Sequence, residues 1–274
     1  MVRIASVQLF LDVLNPKSCA EAATAAINDA ISAGAQIIVL PELSNSGYLF
    51  EVMEEVRQSA TTLDSQLIST WKEIARTSDV VIIAGLNLLE DGSYWNASVI
   101  IDATGLCGWY AKAHLFGEEA RFFTPGSNSP LVVDTKFGRI ATMICYDIEF
   151  PEWVRLAMLD NAQLLAIPTN WPLIGQTITV PAMEVVRVQA AASQNKLVIA
   201  TADRTGTERG QSWVSASVIT TDEGVITALA NPVLNSHTQI IYAEVELPTD
   251  TAITSRNDVR KDRRPALYSA ILKQ

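Results

Sequence analysis

The chain has 274 residues, 49% of them hydrophobic and 18% charged, with a formal net charge of −10. That length holds one large domain or two smaller ones, and the apolar content points to a large core with sheets buried on both faces. The acidic balance argues against a nucleic-acid partner, and no apolar run approaches the roughly 20 residues of a membrane span.

Val2 to Phe10 alternates as a strand, entered with no signal-peptide pattern. The three cysteines, Cys19, Cys107 and Cys145, are scattered and give no disulfide framework, so a reducing, cytoplasmic setting is expected. Asn15 and Pro16 read as N-cap and first helical position, and Ser18 to Ala33 as an Ala-rich helix stopped by Gly34. Ala35 to Leu40 is a short apolar strand closed by Pro41; Glu42 and a polar loop, Ser44 to Tyr48, follow. A helix is predicted from about Thr62 to Thr77, with Leu67, Trp71, Ile74 and Ala75 on one face. Val80 to Gly85 is a strand, Glu90-Asp91-Gly92 a turn, and Trp95 to Asp102 the returning strand of a hairpin. Cys107 to Ala111 continues as a strand into Lys112, and a loop leads on to Gly126. Leu131 to Asp134 and Arg139 to Ile144 form a further hairpin around Lys136-Phe137-Gly138.

The apolar run Ile140 to Ile144 ends at Cys145, and Pro151 suits the first turn of a helix over Glu152 to Leu159. This reads as strand, tight turn, helix. A turn there lifts the sulfur from the sheet toward free N–H groups at a helix start, which lowers a thiol's pKa and suits a nucleophile. A buried structural cysteine fits the same residues. Ala162 to Ile167 is a strand closed by Pro168, Pro181 to Gln194 a helix, and Leu197 to Ala202, Ser212 to Thr220 and Gln239 to Val245 are strands. Residues 255–274 form a basic tail, with Arg256, Arg260, Lys261, Arg263, Arg264 and Lys273 against Asp258 and Asp262. It would dock on its own body or a second subunit, or stay solvated.

Three stretches recur in the same order. Ala35 to Pro41 resembles Ala162 to Pro168, Ile82 to Ala84 resembles Val198 to Ala200, and Ala97 to Ile100 resembles Ala216 to Ile219. Two diverged halves, each strand–helix–strand–helix–strand, would stack sheet to sheet as a four-layer α-β-β-α sandwich.

There are only two histidines, His114 and His237. That excludes most His-rich metal sites and disfavours a Ser-His-Asp triad, leaving acid–base work to carboxylates or lysine. His114 reads as a hydrogen-bonded structural residue and His237 as exposed. Glu42, at the end of a buried strand, suits a general base with a raised pKa, or is an ordinary surface glutamate. Its counterpart in the second half is Thr169, so the strand architecture does not demand it. Lys112, between aromatic and apolar neighbours, could supply positive charge to an oxyanion. Glu118 and Glu119 are individually uninformative.

Taken together, PELSNSGY, YAKAHLFGEE and MICYDIEFPE, with Ala202-Asp203-Arg204-Thr205-Gly206 and the Gly-Gln-Ser-Trp-Val-Ser-Ala-Ser stretch, resemble the nitrilase (carbon–nitrogen hydrolase) superfamily over essentially the whole chain. The resemblance implies a single domain over 1–274 with the α-β-β-α fold, and a Glu–Lys–Cys triad of Glu42, Lys112 and Cys145. It matches a second glutamate to Glu119 rather than Glu118, and calls for no metal and no cofactor. Asp203 stands where many members have asparagine, and Ser215 where many have glycine. The resemblance also implies a dimer or larger homo-oligomer, with the tail reaching the neighbour.

The implied chemistry is thiolate attack with Glu42 as base, and an oxyanion held by Lys112 and the backbone N–H of Tyr146. Family members that hold a substrate carboxylate tend to carry arginine three or four residues after the cysteine, where this chain has Ile148 and Glu149. Glu149 would repel an anionic substrate or hold an amine-bearing one. The form Cys-Tyr-Asp-x-Glu-Phe-Pro-Glu most resembles aliphatic amidases, so a small neutral or amine-bearing amide is the expected substrate. Tyr48, Asn170, Trp171 and Trp213 are candidate pocket residues. A carbamoyl-amine hydrolase, a nitrilase and a catalytically idle binding protein are the alternatives.

Overall fold

Near-continuous apolar runs commit a strand to burial on two faces. In the computed structural model, which describes residues 1–13, 15–175, 181–231 and 237–272, this pattern builds two stacked sheets. β1 (Val2–Phe10), β2 (Ile37–Val39) and β3 (Val81–Glu90) run parallel. α1 (Pro16–Ser32) links the first pair; α2 (Met53–Ser59) and α3 (Gln66–Ser78) link the second. β4 (Ser93–Asp102) and β5 (Gly105–Ala111) then return antiparallel. Asn15 caps α1 as expected, its side chain accepting from Ser18 N at 3.2 Å.

The second sheet repeats this plan. After β6 (Leu131–Thr135), β7 (Gly138–Thr142) leads through α4 (Pro151–Leu159) to β8 (Leu164–Pro168), and through α5 (Met183–Asn195) to β9 (Val198–Ala202). β7, β8 and β9 are parallel. The short strands β10 (Arg204–Thr205), β11 (Thr207–Glu208) and β12 (Gln211–Ser212) intervene. β13 (Val218–Thr220) and β14 (Ile226–Leu229) then follow antiparallel. β15 (Gln239–Val245) closes back onto β1. The recurring stretches fall on equivalent strands: β2 with β8, β3 with β9, β4 with β13.

Alternation sorts the side chains into three apolar layers. Ile37, Val39 and Ile83 face Leu164, Ala166 and Ala200 between the sheets. Ile38 and Ile82 point the other way, under Ile27 of α1 and Trp71 of α3. Leu165, Ile167 and Ile199 pack under Val154 of α4 and Val188 of α5. Each Val, Leu or Ile among them contributes roughly 1.5–3 kcal/mol on burial, so these layers dominate the stability. The result is the α-β-β-α sandwich.

The boundaries differ where local backbone chemistry wins. The predicted strand Ser212 to Thr220 is interrupted, because Ser215 takes a left-handed φ of 56° and only Val218–Thr220 pairs with β9. The helix predicted from Thr62 starts instead at Gln66, after Ser65 caps Ile68 N. The strand expected to stop at Gly85 runs to Glu90 and turns tightly through Asp91 and Gly92, both with positive φ. α2 was invisible because its stretch is polar, with Val56 its one buried large apolar residue. Arg260 of the basic tail donates to Leu159 O at 2.7 Å and also bonds Asn161, so that part docks on its own body. Lys273 lies outside the described residues. Among the described residues no helix is long and apolar enough to cross a membrane.

Candidate active site

The segments that follow three of the strands converge at one end of the sandwich. Glu42 follows β2, Lys112 follows β5, and Cys145 follows β7. Glu42 is fully buried, on a loop that packs directly on β3. Gly85 permits that contact, since a Cβ there would lie 2.4 Å from Glu42 Cα. Gly85→Ala should therefore cost about 1–3 kcal/mol of stability through overpacking and lower kcat by displacing Glu42. Urea melts combined with steady-state kinetics test this, and a variant of wild-type rate would show the contact to be irrelevant to the site.

Glu42 Oε1 accepts from Lys112 Nζ at 2.7 Å and from Asn96 Nδ2 at 2.6 Å. Its Oε2 is buried with no hydrogen-bond partner among the described residues. Lys112 Nζ also donates to Glu119 Oε1 at 2.7 Å. Glu119 is saturated: the Tyr48 hydroxyl donates to Oε1 and Phe116 N to Oε2 at 3.1 Å. The structure thus brings Glu42, Lys112, Glu119 and Tyr48 together and leaves Glu42 alone with an open oxygen. Burial pushes the Glu42 carboxyl up to about 7, against the attraction of Lys112. Burial alone would lower the Lys112 ammonium, but the Glu119 and Glu42 carboxylates outweigh it and hold the charge firmly.

Cys145 sits at a φ of 44°, a left-handed conformation that costs a non-glycine residue about 1–3 kcal/mol. It opens a five-residue 3₁₀ turn, Cys145–Glu149, and α4 begins only at Pro151. Strand, turn and helix follow in the expected order, but the expected lowering of the thiol pKa does not hold. Burial raises the thiol well above its ordinary value, helped by Glu42 and opposed by Lys112 and the Asn170 backbone. A neutral thiol beside a carboxylate of pKa about 7 is a nucleophile waiting for a base.

Residues the sequence did not single out hold these groups in place. Buried Asp147 accepts from Ile144 N at 3.0 Å and the Tyr110 hydroxyl at 2.8 Å on Oδ2, and from His114 N at 3.0 Å on Oδ1. It ties the cysteine turn to the lysine strand. His114, whose Nδ1 lies 2.7 Å from Asp147 and whose ring stacks on Phe150, is structural as expected; His237 is exposed. Arg204 and Glu208 form a buried ion pair, and Glu208 accepts from Tyr48 N at 3.0 Å and Leu49 N at 3.1 Å. Asp203 accepts Trp171 N and Arg204 N on one oxygen, at 3.0 and 2.9 Å, and Ala216 N on the other at 3.1 Å. An asparagine there would turn an NH₂ group toward one of these donors. Burial raises Asp203 to about 7 even so. Ser215 explains its own departure: its positive φ is the conformation glycine adopts without strain.

A cavity of ≈ 260 Å³ opens at the cysteine, lined by Cys145, Tyr146, Trp171, Ile174 and others including Glu149, Glu184 and Arg187. Tyr146 packs edge-on against Phe116 and Phe150. Tyr48 and Trp213 line an adjoining cavity of ≈ 180 Å³ that shares Phe116 and Ile174. Asn170 is fully buried and donates to Glu42 O at 3.0 Å, so it braces the glutamate rather than lining the cavity. Glu149 does not present a lone negative charge, because Arg187 of α5 pairs with it at 3.0 Å.

These residues and their fold match known proteins. The carbon-nitrogen hydrolase family profile matches residues 3–253, and the chain belongs to that family. It is a hydrolase acting on amide carbon–nitrogen bonds. It is 33% identical to a nitrilase of Pyrococcus abyssi, over 98% of this chain and 99% of that one. It is 28% identical to an N-carbamoylputrescine amidase of Arabidopsis thaliana, over 92% and 89%. Among solved structures it resembles a mutant of the amidase from Nesterenkonia sp. AN1, in which acrylamide has undergone Michael addition at the active-site cysteine. The TM-score is 0.79, with 26% identity over 99% of this chain and 100% of that one.

Proposed function

We propose that this chain is a cysteine-dependent amidase converting a small aliphatic amide, neutral or amine-bearing, to its carboxylic acid and ammonia. The observation that carries this reading is the unengaged Oε2 of Glu42, buried beside a neutral thiol. Glu42 takes the Cys145 proton as the sulfur bonds the amide carbon. Lys112 and the Tyr146 backbone N–H hold the resulting oxyanion. Protonated Glu42 gives its proton to the leaving nitrogen, and ammonia departs from a thioester. Glu42 then draws a proton from water as the hydroxide adds. The tetrahedral adduct collapses to the acid, and the proton returns to the sulfur. Glu119, saturated by Lys112, Tyr48 and Phe116, positions the lysine.

A second reading, hydrolysis of an N-carbamoyl amine, is favoured by the two glutamates in the cavity. Ammonia release from a panel of aliphatic amides, carbamoyl amines and nitriles separates the readings. Amides should exceed the others at least about tenfold in kcat/KM, a difference of about 1.4 kcal/mol. Preferred release of carbon dioxide together with ammonia would replace the amidase reading with the carbamoyl one.

A further inference from the structure

The wall of the cysteine cavity carries a charge arrangement that the chemistry above does not use. Glu184, in the first turn of α5, has a side chain only 8% exposed, yet it lines the cavity. Its Oε2 is buried without a hydrogen-bond partner among the described residues. A buried carboxylate oxygen without a donor is costly, and one on a residue that lines a cavity marks a place for a ligand's donor. Its Oε1 lies 3.6 Å from Arg187 Nη1, too long for a hydrogen bond, while Arg187 Nε is committed to Glu149 at 3.0 Å.

We infer that Glu184 receives an ammonium group at the far end of the substrate, so that the preferred substrates are short aliphatic amides ending in a primary amine. This rests on the amidase reading and narrows it. The composition of the wall supports it: among the described lining residues there are two carboxyls, Glu149 and Glu184, and one guanidinium, that of Arg187, so a cation is the charge the wall can best take. Trp171, Pro172 and Ile174 supply apolar wall for methylene groups. A primary amine with a pKa near 10.4 is charged at neutral pH and offers three donors. A carboxylate in the same place would meet Glu184 and an arginine already engaged.

The test compares 5-aminopentanamide with pentanamide in wild-type protein and in Glu184→Gln. Wild-type kcat/KM should favour the amine at least about tenfold. The substitution should lower kcat/KM for the amine about 10–100-fold and leave pentanamide within about threefold, matching the loss of one charge-assisted hydrogen bond. Equal use of the two amides by wild-type protein overturns the inference, as does a parallel fall for both in the variant. Turnover of pentanamide reports separately on the amidase reading. If no amide is cleaved, that reading fails, and N-carbamoyl-1,4-diaminobutane against N-butylurea puts the same ratio to Glu184.

Discussion

Glu42→Gln is expected to lower kcat about 10²–10⁴-fold, the range for loss of a general base, with the fold intact. Glutamine keeps the shape and an oxygen for Lys112 and Asn96, but it cannot take a proton from Cys145. The pH profile identifies the cause. Only the carboxylate accepts the thiol proton, and burial raises Glu42 from 4.5 to about 7. Wild-type kcat/KM should therefore climb with pH and level off above about 7, and the residual rate of the variant should lack that limb. Linkage adds a stability signature. A carboxyl with a raised folded-state pKa contributes stability that is fully present below 4.5 and lost as pH rises through about 7. The melting temperature of Glu42→Gln relative to wild type should accordingly improve from pH 5 to pH 8. Turnover near the wild-type rate would remove Glu42 from the mechanism.

Lys112→Met should both unfold the protein more easily and silence it. The lysine is fully buried between two glutamates. Removing one partner of a buried ion pair costs about 3–5 kcal/mol, which in a chain of this size lowers the melting temperature by roughly 6–20 °C. The lost oxyanion donor alone should reduce kcat about 10²–10³-fold. A companion variant separates the effects. Lys112→Met with Glu119→Gln removes one of the stranded carboxylates, so it should recover part of the stability and none of the turnover. Calorimetry and kinetics on the pair suffice, and a single variant that melts with wild type would show that the lysine charge is not what balances the two glutamates.

Much of the architecture was legible because β2 with β8, β3 with β9 and β4 with β13 still carry similar apolar runs after divergence, and such runs mark strands buried on both faces. Glu42, Lys112 and Glu119 could be named as a group through their motifs, and the fold does gather them. The supports could not. Asp147 answers to Tyr110 and His114, Glu208 to Tyr48 and Leu49, and Asn96 to Glu42, each across a long stretch of chain with no local pattern. Two misreadings have the same origin. The thiol of Cys145 was expected to be acidified by its turn, but the sandwich around it desolvates it more strongly. Glu149, expected to repel an anion or hold an amine, is paired with Arg187, which lies on another element with no signal in the spacing.

The equivalent positions of the two halves touch at the site: Glu42 N donates to Thr169 O at 3.4 Å, and Asn170 Nδ2 to Glu42 O at 3.0 Å. The base, the lysine and its glutamate come from the first sheet, the cysteine from the second. Under the proposed mechanism, a nascent chain with one sheet formed holds a base without a nucleophile. A chain with only the other holds a thiol without its base, ionised in water only to the few per cent of any free cysteine at neutral pH. The pairing of base and nucleophile arrives only with the docking of the sheets.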